Sequence, residues 1–195
     1  TAVETENKVL LTLSDGPSVR EELQVPRHKK HAPAGEKTQV RLNQIWIDQA
    51  DAKELKDGEE VTLMDWGNAI VEKITRSEDG QTVTALSGKL NLAGDVKKTK
   101  WKLTWLADVQ ELVNLTLIDF DYIISKRKIE VDDDFKEFVN DQSRTVKVAV
   151  GDINTAKLAK GEIIQLERKG YYIVDEPYVS SDKPVVLFAI PDGRQ

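Results

Sequence analysis

The chain has 195 residues, a formal net charge of -6 and no cysteine. That length can bury a real core as one domain or two small ones, and the missing cysteines exclude a disulfide framework, a Cys-based zinc site and thiol catalysis. The acidic balance argues against non-specific nucleic-acid binding by the whole surface, while leaving room for a local basic patch. No apolar run approaches the ~18–20 residues of a membrane span, and the N-terminus has no signal-peptide pattern. The chain opens on Thr1 rather than Met, as a fragment or a processed product would.

Lys8 to Leu13 reads as a buried strand closed by the turn Ser14-Asp15-Gly16-Pro17. Arg20 to Gly35 is expected to be irregular, with Pro26, Pro33 and the basic run Arg27-His28-Lys29-Lys30-His31. Val40 to Ile47 reads as one strand with a slip near Asn43-Gln44. Asp48 to Leu55 is expected to form a short helix with Asp48 as N-cap, ended by Gly58. Glu60 to Met64 is a further strand, and Asp65-Trp66-Gly67-Asn68 a loop. Ala69 to Thr75 and Gln81 to Leu86 pair naturally across Ser77-Glu78-Asp79-Gly80, where Asp-Gly between alternating strands marks a hairpin.

From Lys97 to Leu106, Trp101, Leu103 and Trp105 fall on one face of an alternating strand, with Lys100, Lys102 and Thr104 on the other. Leu115 to Ile118 and Tyr122 to Ile124 are short apolar runs, and Lys126-Arg127-Lys128 follows. Asp132 to Asn140 is the best helix candidate, with acids in the first turn where the helix dipole favours them. Glu162 to Val174 (E-I-I-Q-L-E-R-K-G-Y-Y-I-V) reads as a hairpin with Gly170 at a turn that needs positive φ. Val185 to Ile190 is a last strand, ended by Pro191-Asp192-Gly193.

Roughly ten short strands, a few short helices and no βαβ alternation describe an all-β barrel or sandwich. No repeat recurs at a fixed period. The irregular segments flank a middle block near residues 53 to 125, so one barrel nested inside another is a possible arrangement.

Enzyme signatures are missing: no phosphate-binding glycine loop, no dinucleotide fingerprint and no H-E-x-x-H. His28 and His31 have no carboxylate cluster beside them and read as polar loop residues rather than metal ligands. Asp132-Asp133-Asp134 lacks calcium-loop spacing. No triad assembles, so no catalytic residue and no metal site is assigned. A basic and aromatic pattern remains. Three clusters stand out, Arg27 to His31, Lys97 to Lys102 and Arg168-Lys169, with Trp66 and the tyrosines near similar loops. Cations hold phosphates and rings stack on unpaired bases; equally, each cluster reads as a solvated charged face, and Trp101 and Trp105 as core. Gln165 shares a strand face with Ile163. Its amide can read an extruded base beside Arg168 and Lys169, or it can be an ordinary polar residue on an exposed hairpin.

Several collinear stretches resemble one family. Val25-Pro26-Arg27-His28-Lys29-Lys30 and Gln44-Ile45-Trp46-Ile47-Asp48-Gln49-Ala50-Asp51 are similar to the segment after the catalytic core of class I glutamyl- and glutaminyl-tRNA synthetases. Val61 to Asn68, Lys89 to Leu92, Thr104 to Ala107 and Ile163 to Tyr172 resemble specifically the glutamyl enzymes of eukaryotic and archaeal type. The matches span nearly the whole chain.

The resemblance implies an anticodon-binding region of two β-barrels, the distal one inserted in the proximal one. The proximal barrel is expected over residues 1–52 and 126–195, the distal over 53–125. The implied partner is tRNA(Glu), in the cytoplasm, with no membrane and no DNA. ATP and Mg belong to a catalytic domain outside this chain, which needs no cofactor of its own. Gln165 matches the glutamine that reads the central uridine in the glutaminyl relatives, and Arg168 lies where those relatives contact anticodon bases. Phosphate contacts are expected from Arg27, His28, Lys29, Lys30, Lys97, Lys98 and Lys100, and Lys169 is expected to bind the tRNA beside Gln165 and Arg168. The arginines that read the flanking bases in those relatives are replaced here by Thr62 and Met64, so Trp66 and Asn68 become the candidates for stacking and hydrogen bonding. The competing reading is a β-barrel docking module for other synthetases or assembly factors.

Overall fold

The computed structural model describes residues 1–191, so the expected turn at Asp192-Gly193 lies outside the described residues. Fifteen strands and one short α-helix follow one another. They are β1 Ala2–Glu4, β2 Val9–Leu13, β3 Glu21–Pro26, β4 Glu36–Arg41, β5 Gln44–Ile47, α1 Gln49–Glu54, β6 Glu60–Leu63, β7 Gly67–Arg76 and β8 Val83–Asn91. After them come β9 Lys102–Leu103, β10 Leu106–Ala107, β11 Val113–Phe120, β12 Arg144–Gly151, β13 Ile163–Leu166, β14 Gly170–Glu176 and β15 Val185–Ile190.

The strands build two curled half-barrel sheets and a separate ribbon. One sheet runs β10-β5-β2-β8-β7-β6-β9, the other β1-β12-β11-β15-β14-β13, and β3 pairs only with β4. Period-2 alternation explains the inward faces. In β2, Val9, Leu11 and Leu13 are buried, while Leu10 and Thr12 are half-exposed. Each sheet encloses its own core, around Ile45, Leu63 and Val71 in the first and around Leu115, Leu166 and Leu187 in the second. A third cluster of Val3, Leu106 and Val150, backed by Trp46 and Leu112, forms an apolar seam between them.

The nesting is visible in the pairing. β1 joins β12, the chain then completes the first sheet, and it returns to the second at β11. The sheets divide the chain elsewhere than at 52/53 and 125/126. β2 and β5 bond to β8 and β10, and β11 bonds to β12 and β15, because the register carries their buried faces into those cores.

Several expected elements differ. The stretch from Arg20 to Gly35 contains β3, and Glu21 to Pro26 face Arg41 to Glu36 in strict register. Its strands lie outside both cores, and β3 offers only Leu23 and Val25 at period two before Pro26, too short an alternation to stand out beside the prolines and the basic run. The slip near Asn43 is a true break, and β4 and β5 lie in different sheets. Between Lys97 and Leu106 only Lys102–Leu103 is a strand; β10 begins at Leu106. Leu103 and Trp105 are core, as their spacing implied, but Thr104 is buried too. Tyr122 and Ile123 lie exposed outside any strand. The helix expected at Asp132 to Asn140 is one 3-10 turn, Phe135–Phe138. Phe135 is 56% exposed, so the apolar edge that would stabilise a longer helix has nothing to pack on.

Gly88 shows how closely two strands approach. A Cβ there would lie 2.4 Å from the backbone carbonyl oxygen of Ile70, beside the irregular register of β7 and β8. Gly88→Ala is therefore expected to destabilise the first sheet by about 1–3 kcal/mol, lowering the melting temperature by roughly 2–10 °C in a calorimetric scan.

Candidate nucleic-acid interface

Two hairpin turns of the same build face one cleft. In the first, Leu63 pairs with Gly67, the Trp66 N–H donates to the Leu63 carbonyl at 3.0 Å, and Asp65 takes φ 61°. In the second, Leu166 pairs with Gly170, the Lys169 N–H donates to the Leu166 carbonyl at 2.9 Å, and Arg168 takes φ 64°. Gly170 has the expected positive φ, 115°, but opens β14 instead of lying within the turn. The β3–β4 ribbon closes a third side. It is fixed to the second sheet by Asn154, whose amide accepts from the Thr38 N–H at 3.0 Å and donates to the Thr38 carbonyl at 2.8 Å.

The cleft holds about 740 Å³ and is lined by Arg27, His28, Lys29 and Lys30 from the ribbon's loop, by Met64 and Asp65, and by Glu162 to Arg168. Gln165 is exposed in it, on the outward face with Ile163, while Leu166 points into the core. The sequence clusters at 27–30 and 165–168 therefore meet in space across more than a hundred residues of chain. A smaller cavity of about 40 Å³ adjoins it beneath Val40 and Trp105.

The cleft is not a plain electropositive trough. Its lining carries five cations, Arg27, Lys29, Lys30, Lys37 and Arg168, against four carboxylates, Asp65, Asp152, Glu162 and Glu167. Lys29 reaches Asp65 at 2.8 Å, and Lys37 bridges Asp65 at 3.5 Å and Glu167 at 3.2 Å. Burial alone would raise the Asp65 carboxyl, but Lys29 and Lys37 outweigh it and hold the group below its ordinary 3.8. Arg27 donates from Nε to the Glu36 carbonyl at 3.0 Å, which orients it along the ribbon. His28 Nδ1 accepts from the Lys30 N–H at 3.2 Å, a local turn contact. His28 and His31 have ring centroids 6.3 Å apart, and among the described residues no group of three or more His, Asp or Glu side chains is placed to hold a metal.

Models of the anticodon-binding domain of class I tRNA synthetases of the E and Q type match residues 1–91 and 102–175. The chain belongs to this family. A cytoplasmic glutamate–tRNA ligase of Arabidopsis thaliana is 56% identical over the whole chain, and a probable one of Schizosaccharomyces pombe 46%. In both cases this chain spans 27% of the relative's length. A bifunctional glutamate/proline–tRNA ligase of Drosophila melanogaster is 39% identical over the whole chain, which covers 12% of it.

Other expected contacts of this family member lie differently. Asn68 is fully buried. Its amide accepts from Thr62 Oγ1 at 2.8 Å and donates to Glu60 Oε1 at 2.8 Å, in a cluster that Thr99 and Asn91 complete. Fully buried and bonded at both amide atoms, it presents no accessible atom where the sequence led to the expectation of a base contact. Trp66 is half-buried; its ring lies 4.7 Å from Trp105, and the Arg41 guanidinium lies 5.3 Å from its centroid. Its known contacts hold the turn to the core. Lys97, Lys98 and Lys100 are exposed on the loop between β8 and β9, outside the cleft lining, with Lys100 over the Trp101 ring. Arg168 lines the cleft, but its guanidinium grips Asp51; Lys169 is paired with Asp48 and Glu4. Sequence reasoning missed Lys37, Asp65, Glu167 and Asp51, whose partners lie far along the chain. Only the positive charge of Arg168-Lys169 on an otherwise acidic molecule hinted that they seek carboxylates.

Asn68→Ala is expected to cost about 1–3 kcal/mol by leaving Thr62 and Glu60 short of a partner, with RNA affinity of the folded protein unchanged; urea unfolding beside a binding isotherm checks this. The Asp65 pairing adds stability that is fully present above the ordinary carboxyl value and lost as pH falls through the lowered native one. The difference in urea midpoint between the parent and Asp65→Asn should therefore be full at neutral pH and close below about pH 4.

Proposed function

We propose that this chain is the anticodon-binding part of a cytoplasmic glutamate–tRNA ligase, which selects and orients tRNA(Glu) for ATP-dependent glutamylation by a catalytic domain outside it. The observation that carries this reading is the exposed Gln165 facing the Arg27–Lys30 loop across one cleft. A carboxamide offers uracil a donor and an acceptor at once, matching its N3–H and an adjacent carbonyl. Unpaired anticodon bases can be splayed into such a cleft while the ribbon's cations hold the flanking phosphates. The catalytic domain supplies the ATP and Mg chemistry; this part of the enzyme contributes recognition and is inactive alone. The family match and the names of the relatives support this reading over that of a docking module for other synthetases. The bifunctional relatives leave fusion to a second synthetase as an alternative form of the parent.

Domain borders that follow the sheets, near residues 5 and 110, fit the hydrogen bonding better than borders at 52 and 125. The nearly balanced cleft sets the electrostatic expectation. Among the described residues Lys30 has no ion-pair partner, whereas Lys29 already faces Asp65. Lys97, Lys98 and Lys100 extend the phosphate track outside the cleft.

Gln165→Ala is expected to weaken binding of tRNA(Glu) by ~1–3 kcal/mol and relax selectivity at the middle anticodon base. Lys30→Ala should weaken all tRNAs alike and reduce the slope of log affinity against log salt by about 1, and Lys29→Ala by less. A Gln165→Ala protein that still prefers the native middle base as strongly as the parent would remove Gln165 from the reading.

A further inference from the structure

Arg168 sits on the tip of the second sheet's hairpin, yet its partner belongs to the first sheet. Its Nη1 and Nη2 donate to Asp51 Oδ2 and Oδ1 at 2.6 and 2.7 Å, a bidentate grip. Asp51 is on α1 and only 6% exposed. Beside it, Lys169 donates to Asp48 Oδ2 at 3.0 Å. Asp48 occupies the N-cap position of α1 without capping it, because its other oxygen accepts from the Glu4 N–H at 2.7 Å. Two neighbouring cations of one turn are thus held by two carboxylates at the start of one helix. The grip also explains the backbone, since a long side chain at φ 64° needs a compensating hold.

We propose that Asp51 is a positioning residue for base recognition. It holds Arg168 as a strut that fixes the β13–β14 turn against α1 and so keeps Gln165, three residues earlier in the same hairpin, in place for the base. The inference rests on the tRNA reading above. Its physical basis is that the fork to Asp51 fixes the plane of the guanidinium, and releasing it would strand the nearly buried carboxylate without its cation. Gln165, by contrast, is exposed and has no side-chain hydrogen bond among the described residues.

A double-mutant cycle tests this. Asp51→Asn, Arg168→Gln, the double variant and Arg168→Lys are compared with the parent chain. Each is checked for a native circular-dichroism melt above the assay temperature. The readout is the ratio of affinities for tRNA(Glu) and for the same tRNA with its middle anticodon base replaced. The strut predicts that both single variants lower this ratio by the same factor, about fivefold or more, that the double variant lowers it no further, and that the salt slope stays put. Arg168→Lys, which keeps the charge and loses the fork, falls between. A larger loss and a flatter salt slope for Arg168→Gln than for Asp51→Asn would mean that Arg168 acts on the RNA independently of Asp51 and overturn the proposal. So would Asp51→Asn or Arg168→Lys with the parental ratio, which would make the pair structural only. A parent chain without preference for the native anticodon would sink the tRNA reading itself, and this role with it.

Discussion

The junction between the two sheets is what the site depends on. Neither sheet alone makes the cleft: Gln165 comes from one, Asp65 from the other, and the ribbon spans both. The apolar seam of Val3, Leu106 and Val150 brings the sheets together without fixing their orientation tightly, because hydrophobic contact is non-directional. The pairs Arg168–Asp51 and Lys169–Asp48 add direction. Such ion pairs contribute little net stability after desolvation, but a bidentate fork tolerates little misalignment. The Asn154–Thr38 amide contact does the same for the ribbon.

The paired turns show how similar local geometry is put to different use. Each has Leu facing Gly across a three-residue tip with the middle residue at positive φ. Asp tolerates that conformation readily; Arg does not, and persists where its side chain is anchored. The charges are opposite, Asp65 on one tip and Arg168 on the other, and each tip is held by the opposite sign from elsewhere in the chain. The cleft is consequently close to neutral. A nearly neutral pocket suits discrimination among bases, and the proposed reading assigns the bulk of phosphate attraction to exposed lysines around it.

The hairpin from Glu162 to Val174 was legible because alternation and a turn glycine agree, and the same holds for β7 and β8 around Gly80. The all-β class was legible from the many short strands, and the nesting from the irregular segments flanking a middle block together with the resemblance. The β3–β4 ribbon was not, since Leu23 and Val25 are its only alternating apolar pair in β3 and Pro26 follows at once, and β12 was not recognised because Val146 and Val148 face solvent. In the site, composition identified the basic clusters but not which cations are free. Lys29 and Lys30 are adjacent in sequence, and only the fold reveals that Asp65 faces one of them. Asn68 misled because a polar residue next to a loop tryptophan looks exposed, while β7 carries it into a buried cluster with Thr62 and Glu60.

The central claim is that this cleft reads a base rather than merely attracting a polyanion. The direct measurement is a salt titration of the unaltered chain binding tRNA(Glu), beside the same tRNA with its middle anticodon base replaced. Base readout predicts two parallel lines of log affinity against log salt, separated by a preference for the native anticodon that persists as salt rises. Coincident lines that fall together as salt rises would contradict the account and leave only a basic surface.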